Sequence, residues 1–171
     1  MIKIRPFEMD DISYKVKWIN EPRNNKYLHY DTPINYSKTL EWFEKVKKLT
    51  SRLDLTIIYN DKPVGLIGLL NIDFKNKKAE YYILIGELGY KGKGIAYEAT
   101  RLLFQQAIEL GLRRIYLFTE IENNNAQKLF SKLGFKKEGL LKNDLYYKDR
   151  FIDRYLFAYD LFSLEKKGTV L

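Results

Sequence analysis

One short run of glycines and lysines constrains this chain more than any other stretch. Gly89-Tyr90-Lys91-Gly92-Lys93-Gly94-Ile95-Ala96 sits between a β-like run, residues 81–85, and a long helical pattern, residues 96–110. A glycine-rich turn that feeds a helix leaves backbone N–H groups facing outward at the positive end of the helix dipole. That is a ready seat for a phosphate or pyrophosphate, and Lys91 and Lys93 bring charge to the same anion. Residues 114–119 read as the next strand. The segment 81–119 is therefore strand, phosphate loop, helix and strand, which is a right-handed parallel crossover by default.

The rest of the chain reads around that unit. Ile2-Lys3-Ile4-Arg5 alternates and stops at Pro6, a short first strand. Asp10-Asp11 offers an N-cap for a helix through Ile12, Val16 and Ile19, which Asn20-Glu21-Pro22 ends. Residues 22–36 are polar and irregular. Ser37 is placed to cap a second helix with Leu40, Phe43, Val46 and Leu49 on one face. Residues 53–59, 64–72 and 79–85 form a meander, with turns at Asn60-Asp61-Lys62-Pro63 and over 73–78. Gly111 closes the long helix, residues 123–133 form another, and residues 140–147 and 154–161 are closing strands. This predicts a single α/β (α+β) domain over residues 1–165. Its twisted, mixed, mainly antiparallel sheet has six or seven strands flanked by helices, and residues 166–171 form a loose tail.

Composition removes several kinds of function. The chain has no cysteine and a single histidine, His29. That excludes a disulfide framework and a thiolate site, and leaves no basis for a histidine metal centre. The net charge of +8 is spread along the chain rather than gathered on one segment. Such a spread argues for general attraction to anions and against a nucleic-acid partner. No run reaches membrane-spanning or signal-peptide length, so a soluble cytoplasmic protein is the expectation.

The loop alone fits other nucleotide sites poorly. A Rossmann fingerprint would need an acidic residue at the end of a second strand, and a Walker loop would need Gly-Lys-Ser/Thr. Four marks in order decide the matter: Ile4-Arg5-Pro6 before an acidic helix start; Ala79-Glu80 leading to Tyr90-Lys91-Gly92-Lys93-Gly94-Ile95-Ala96; Asn123-x-x-Ala126-x-x-Leu129-Phe130-x-Lys132-x-Gly134-Phe135; and Glu138-Gly139 before a tyrosine-rich strand pair. With these marks the chain, from residue 2 to about 161, resembles the GNAT superfamily of acetyl-CoA-dependent N-acetyltransferases. Within it, the chain is similar to the branch of ribosomal-protein, spermidine and amino-sugar enzymes.

The resemblance implies splayed central strands, acetyl-CoA as cosubstrate, no metal, and direct attack of a primary amine on the thioester. The acceptor is a small molecule or amino sugar, and a homodimer is plausible. It places CoA against Leu84, Ile85 and Gly86, against the loop Lys91, Gly92, Lys93, Gly94, Ile95 and Ala96, and against Asn123, Phe130 and Lys132. The expected proton-handling residues are Glu80, Glu120 and Tyr82, and the expected acceptor walls are Trp18, His29, Tyr30, Trp42 and Tyr146. Two departures stand out. Phe130 holds the place of the family's general-acid tyrosine, and Gly89 lacks the Gln or Arg common there. They keep a silent acyl-CoA-binding module open as an alternative, beside a protein N-terminal acetyltransferase.

Overall fold

In the computed structural model, which describes residues 1–165, the chain runs from β1 (Ile2–Pro6) through a 3-10 turn, Met9–Asp11, into three helices. These are α1 (Ile12–Asn20), the short α2 (Pro22–Asn25) and α3 (Tyr36–Val46). The meander β2 (Leu53–Tyr59), β3 (Lys62–Asp73) and β4 (Lys78–Ile85) follows, then a second 3-10 turn, Leu88–Tyr90. The chain continues through α4 (Ile95–Glu109), β5 (Arg114–Glu120), α5 (Asn124–Leu133), β6 (Lys136–Tyr147), β7 (Arg150–Asp160) and α6 (Phe162–Glu165). The tail expected over residues 166–171 lies outside the described residues.

Seven strands make one sheet in the order β1-β2-β3-β4-β5-β7-β6. Every neighbouring pair is antiparallel except β4 and β5, which run parallel across the α4 crossover. Two hairpins turn on two-residue loops whose residues both have positive φ: Asn60 and Asp61 at 47° and 61°, Lys148 and Asp149 at 48° and 58°. That backbone matches the twist of the flanking strands, and Asn and Asp tolerate it.

Three local readings differ from the sequence pattern. Asn35, not Ser37, caps α3, accepting from Lys38 N–H at 2.9 Å. The entry point is fixed just upstream, where the Asn20 side chain brackets the Ile34 backbone with two 2.8 Å hydrogen bonds. Residues 22–25 form α2, started by Pro22 at N1 and by the Glu21 carboxylate accepting from Arg23 N–H. β6 and β7 each begin four residues earlier than the alternation suggests. Register shifts at Lys137/Gly139 and Leu141/Leu145 break the period-two pattern there.

Strand alternation divides the core into two layers. On one face of β4, Ala79, Tyr81, Ile83 and Ile85 pack with Ile95, Ala99, Leu103 and Ala107 of α4 and with Phe130 and Leu133 of α5. On the other face Tyr82 and Leu84 join Phe7, Ile12, Trp18 and Leu66 under α1 and α3. Among the described residues no helix is long and apolar enough to cross a membrane.

The smaller layer is anchored at Asp11. Its buried carboxylate accepts from Arg5 at 2.6 and 2.9 Å, from Glu8 N–H at 2.9 Å and from the Thr56 hydroxyl at 2.7 Å. Burial alone would raise its pKa, but the Arg5 hydrogen bonds and the other two donors outweigh burial and hold it below the usual carboxylate range. A depressed folded-state pKa gives stability that is present above the unfolded value and lost as pH falls through the folded value. Denaturant melts should therefore show stability falling steeply below about pH 4. Asp11→Ala should cost about 3 kcal/mol at pH 7 and flatten that acid limb.

Candidate active site

Parallel pairing of β4 with β5 lasts only three residue pairs: Lys78 with Arg114, Ala79 with Ile115, and Glu80 with Tyr116. Beyond Glu80 each strand keeps only its outer neighbour. β4 stays with β3 as far as Ile85, and β5 stays with β7 as far as Glu120. The two strands part, and their facing edges carry main-chain groups with no strand between them. Continuing the register sets Ile83 level with Thr119 and Leu84 level with Glu120 across the fork. The Thr119 hydroxyl beside the fork is buried and, among the described residues, has no hydrogen-bond partner. An extended amide-bearing chain entering the fork meets what these edges lack: hydrogen-bond partners for a free strand edge and for a buried hydroxyl.

The glycine loop lies beyond the open end of β4. Gly92 and Gly94 both have φ of 77°, and Gly94 is the N-cap of α4. The first hydrogen bond into the helix runs from Glu98 N–H to Gly94 C=O at 3.1 Å, so the amides of Ile95, Ala96 and Tyr97 are free of the ladder. A Cβ built at Gly89, Gly92 or Gly94 meets nothing within 4 Å, so the space in front of these amides is open. Lys91 and Lys93 are exposed on the loop, with Lys93 Nζ 5.0 Å from the Tyr90 ring centroid. This is a cradle of amides and ammonium groups, and a diphosphate fits it.

Asn24 fastens the loop to the helical layer. It is buried, donates from Nδ2 to Trp18 C=O at 3.0 Å and Gly86 C=O at 2.8 Å, and accepts from Lys91 Nζ at 2.7 Å through Oδ1. Gly86 lies flat against the Trp18 indole, and an added Cβ there would sit 2.2 Å from ring carbons. Trp18 Nε1 donates to Glu87 at 2.9 Å, and Lys17 pairs with the same oxygen at 2.6 Å. A cleft of about 370 Å³ opens between Trp18, Glu21 and Pro22 on one side and Gly86 to Gly89 on the other. It reaches Gly89, the first residue of the loop, and is not lined by His29, Glu80 or Glu120.

At the far end of β5, Glu120 is 4% exposed and its Oε1 meets His29 Nε2. Arg150 Nη2 of β7 lies 3.8 Å from the other carboxylate oxygen. His29 has a left-handed backbone, φ 59°. Its ring is edge-on to Tyr147, centroids 5.1 Å apart, and the Tyr147 hydroxyl donates to Tyr30 C=O at 2.9 Å. The His29 loop and β7 therefore converge on Glu120, with Tyr147 of β6 against the His29 ring.

The other expected site residues sit as follows. Glu80 occupies the last paired position of β4 and accepts from Asn71 Nδ2 at 2.8 Å near the surface. It is four residues, or about 13 Å of strand, short of the Leu84 level. Tyr82 donates to Asp54 at 2.7 Å, while Arg52 forks onto the same carboxylate at 2.6 and 2.8 Å. Burial, with the Asp54 charge, raises the Tyr82 phenol well above its ordinary pKa, and its hydroxyl hydrogen is committed to Asp54. Trp18 is 1% exposed, packed in the smaller core layer with one edge on the cleft. Trp42 is covered by Lys15, whose Nζ lies 3.2 Å from the ring centroid. Burial lowers that ammonium's pKa to about 7.

Tyr30 is exposed, and Tyr146 stands 60% exposed against Phe151, away from His29. Its neighbour Tyr147 faces the site instead, because adjacent strand residues point to opposite faces. Asn123 is the N-cap of α5, accepting from Ala126 N–H at 3.2 Å. Phe130 packs against Tyr81, Phe135 and Phe157 in the core, and Lys132 is exposed with its Nζ 5.3 Å from the Tyr97 ring centroid. Asn24, Thr119, Tyr147 and Arg150 carry no motif signal. Only the long-range packing reveals them.

Known proteins resemble this chain in sequence and in fold. The acetyltransferase (GNAT) domain family matches residues 2–136. A putative ribosomal N-acetyltransferase of Bacillus subtilis is 29% identical over 98% of this chain and 94% of its own length. Spermidine N(1)-acetyltransferase of Escherichia coli is 27% identical over 85% of this chain and 78% of its own length. The crystal structure of spermidine N-acetyltransferase from Vibrio cholerae in complex with CoA and spermine shares the fold. Its TM-score is 0.85 at 22% identity, over 94% of this chain and 95% of that one.

If Tyr82 holds Asp54 rather than donating a proton in the reaction, Tyr82→Phe should change kcat by less than about threefold, while loss of a general acid typically costs a hundredfold or more. Steady-state thiol release measured on both proteins distinguishes the two.

Proposed function

This chain belongs to the acetyltransferase (GNAT) domain family, and on that premise we propose how it works as an acetyl-CoA-dependent N-acetyltransferase on a primary amine. The pantetheine arm lies in the β4–β5 fork along residues 82–86, and the diphosphate lies on the amides of residues 92–96. The observation that carries this reading is the early end of β4–β5 pairing, at Glu80 and Tyr116, directly upstream of the open glycine loop. Main-chain N–H groups at a free strand edge are suited to hold a thioester oxygen as it gains negative charge. With no Gln or Arg at position 89, Lys91 and Lys93 supply the positive field.

The acceptor enters from the α1–α3 side, among Tyr30, Tyr147 and His29. We read it as a small monoamine of the amino-sugar kind rather than a polyamine. A polyamine needs several free carboxylates, and the two most buried ones near Tyr30 and His29 already have partners. Asp54 is held by Arg52 and Tyr82, and Glu120 by His29 and Arg150. A polar pocket with aromatic walls suits a ring bearing hydroxyls and one amine.

A thiol-release assay with acetyl-CoA and a panel of amino sugars, aminoglycosides and polyamines tests both parts. Turnover on an amino sugar with spermidine inert is the expected outcome, and the reverse preference would overturn the acceptor assignment. In calorimetry, Gly94→Asp should weaken CoA binding by more than about tenfold. It puts a carboxylate where the diphosphate lies and forces a non-glycine residue to φ 77°. Unchanged affinity would remove the loop from the site.

A further inference from the structure

We propose that His29 and Glu120 act as one unit that removes the acceptor's proton, with Glu120 holding the ring and His29 Nδ1 serving as the base. This rests on the acetyl-transfer reading above. Continued register places Glu120 level with Leu84 on the opposite side of the fork, where the thioester is expected. Its carboxylate is 3% exposed and the His29 side chain 15%, so the pair is shielded on a surface otherwise open to water.

An ionised carboxylate only accepts hydrogen bonds. With the hydrogen between Oε1 and Nε2 carried by the ring, a neutral imidazole keeps its lone pair on Nδ1. Arg150 Nη2 lies 3.8 Å from the second oxygen of Glu120. The groups around the ring are Glu120 from β5, Arg150 from β7, Tyr147 from β6 and Tyr30 from its own loop.

The loop is built to hold that ring. His29 keeps an unfavourable left-handed backbone, and such strain persists only where the surroundings enforce it. Asn25 brackets the next residue, donating to Tyr30 C=O at 2.9 Å and accepting from Tyr30 N–H at 3.2 Å, and Tyr147 ties down the same carbonyl. The competing carboxylates are less apt. Glu80 stands where the strands are still paired, and Asp54 is saturated by three donors.

The chemistry balances without a further reactant. The acceptor ammonium gives one proton to Nδ1, and the freed nitrogen bonds to the thioester carbonyl carbon. The carbon–sulfur bond breaks and sulfur leaves with its electron pair. The second nitrogen proton passes through water to that thiolate, and the imidazolium returns its proton to solvent.

Because His29 is the only histidine, its ring nitrogens can be observed without ambiguity. In ¹⁵N-detected imidazole spectra of the unmutated protein at pH 8, the ring should carry hydrogen on Nε2 and a bare Nδ1, and Glu120→Gln should shift both signals. A ring protonated on Nδ1, or on both nitrogens, overturns the proposal. In the thiol-release assay His29→Ala should lose about a hundredfold in kcat. It should keep wild-type CoA affinity and regain part of its rate with added imidazole. A rate within threefold of wild type, or no recovery with imidazole, also overturns it. A wild-type protein inert toward every amine would sink the acetyl-transfer reading itself, and the spectrum would still judge the pair.

Discussion

Everything in this fold depends on two parallel strands letting go of each other. β4 and β5 are registered for three residues and then diverge, although a sheet gains by pairing every main-chain group. Each strand is stabilised on its outer side, β4 by β3 and β5 by β7. Gly86 and Glu87 N–H both reach back to Val64 C=O, at 2.9 and 3.2 Å, and so extend the β3 association past the end of the strand. The opening is thus held by two intact half-sheets and needs no insert to prop it apart. The same divergence creates an unsatisfied edge inside the protein, which is the physical meaning of a site for an extended, amide-rich ligand.

The two helical layers divide the work around that opening. α4 and α5 seal the larger core, and α4 presents its first turn of amides just past the end of β4. On the opposite face α1 and α2 hold the loop from behind. The Trp18 indole rests on Gly86, and Asn24 spends both amide hydrogens on Trp18 and Gly86 and accepts from Lys91. A movement of α2 is therefore felt directly at Lys91. This joins the helices bordering the acceptor side to the loop that faces the anion.

The sequence made much of this legible, and the limits follow from physics. The loop, its helix and the succession of strands and helices along the chain are legible because glycine spacing and apolar periodicity are local signals. The β6–β7 boundaries are not, because register shifts hide their alternation, and for the same reason the sequence points to Tyr146 while Tyr147 is the residue against His29. The depth of Trp18 is hidden, because residue type does not reveal it. Its burial is decided by Gly86, almost seventy residues away in the chain. Glu120 and His29 could each be noticed, but their pairing spans 91 residues, and no spacing rule reaches that far. Arg150, Asn24 and Thr119 are ordinary residues until the fold places them.

Amide hydrogen exchange measured with and without CoA tests the central claim most directly. The account predicts that CoA slows exchange at the amides of residues 92–97 and along residues 82–86, with β1 and β2 unaffected. Protection confined to other surfaces, or none at saturating CoA, would contradict it.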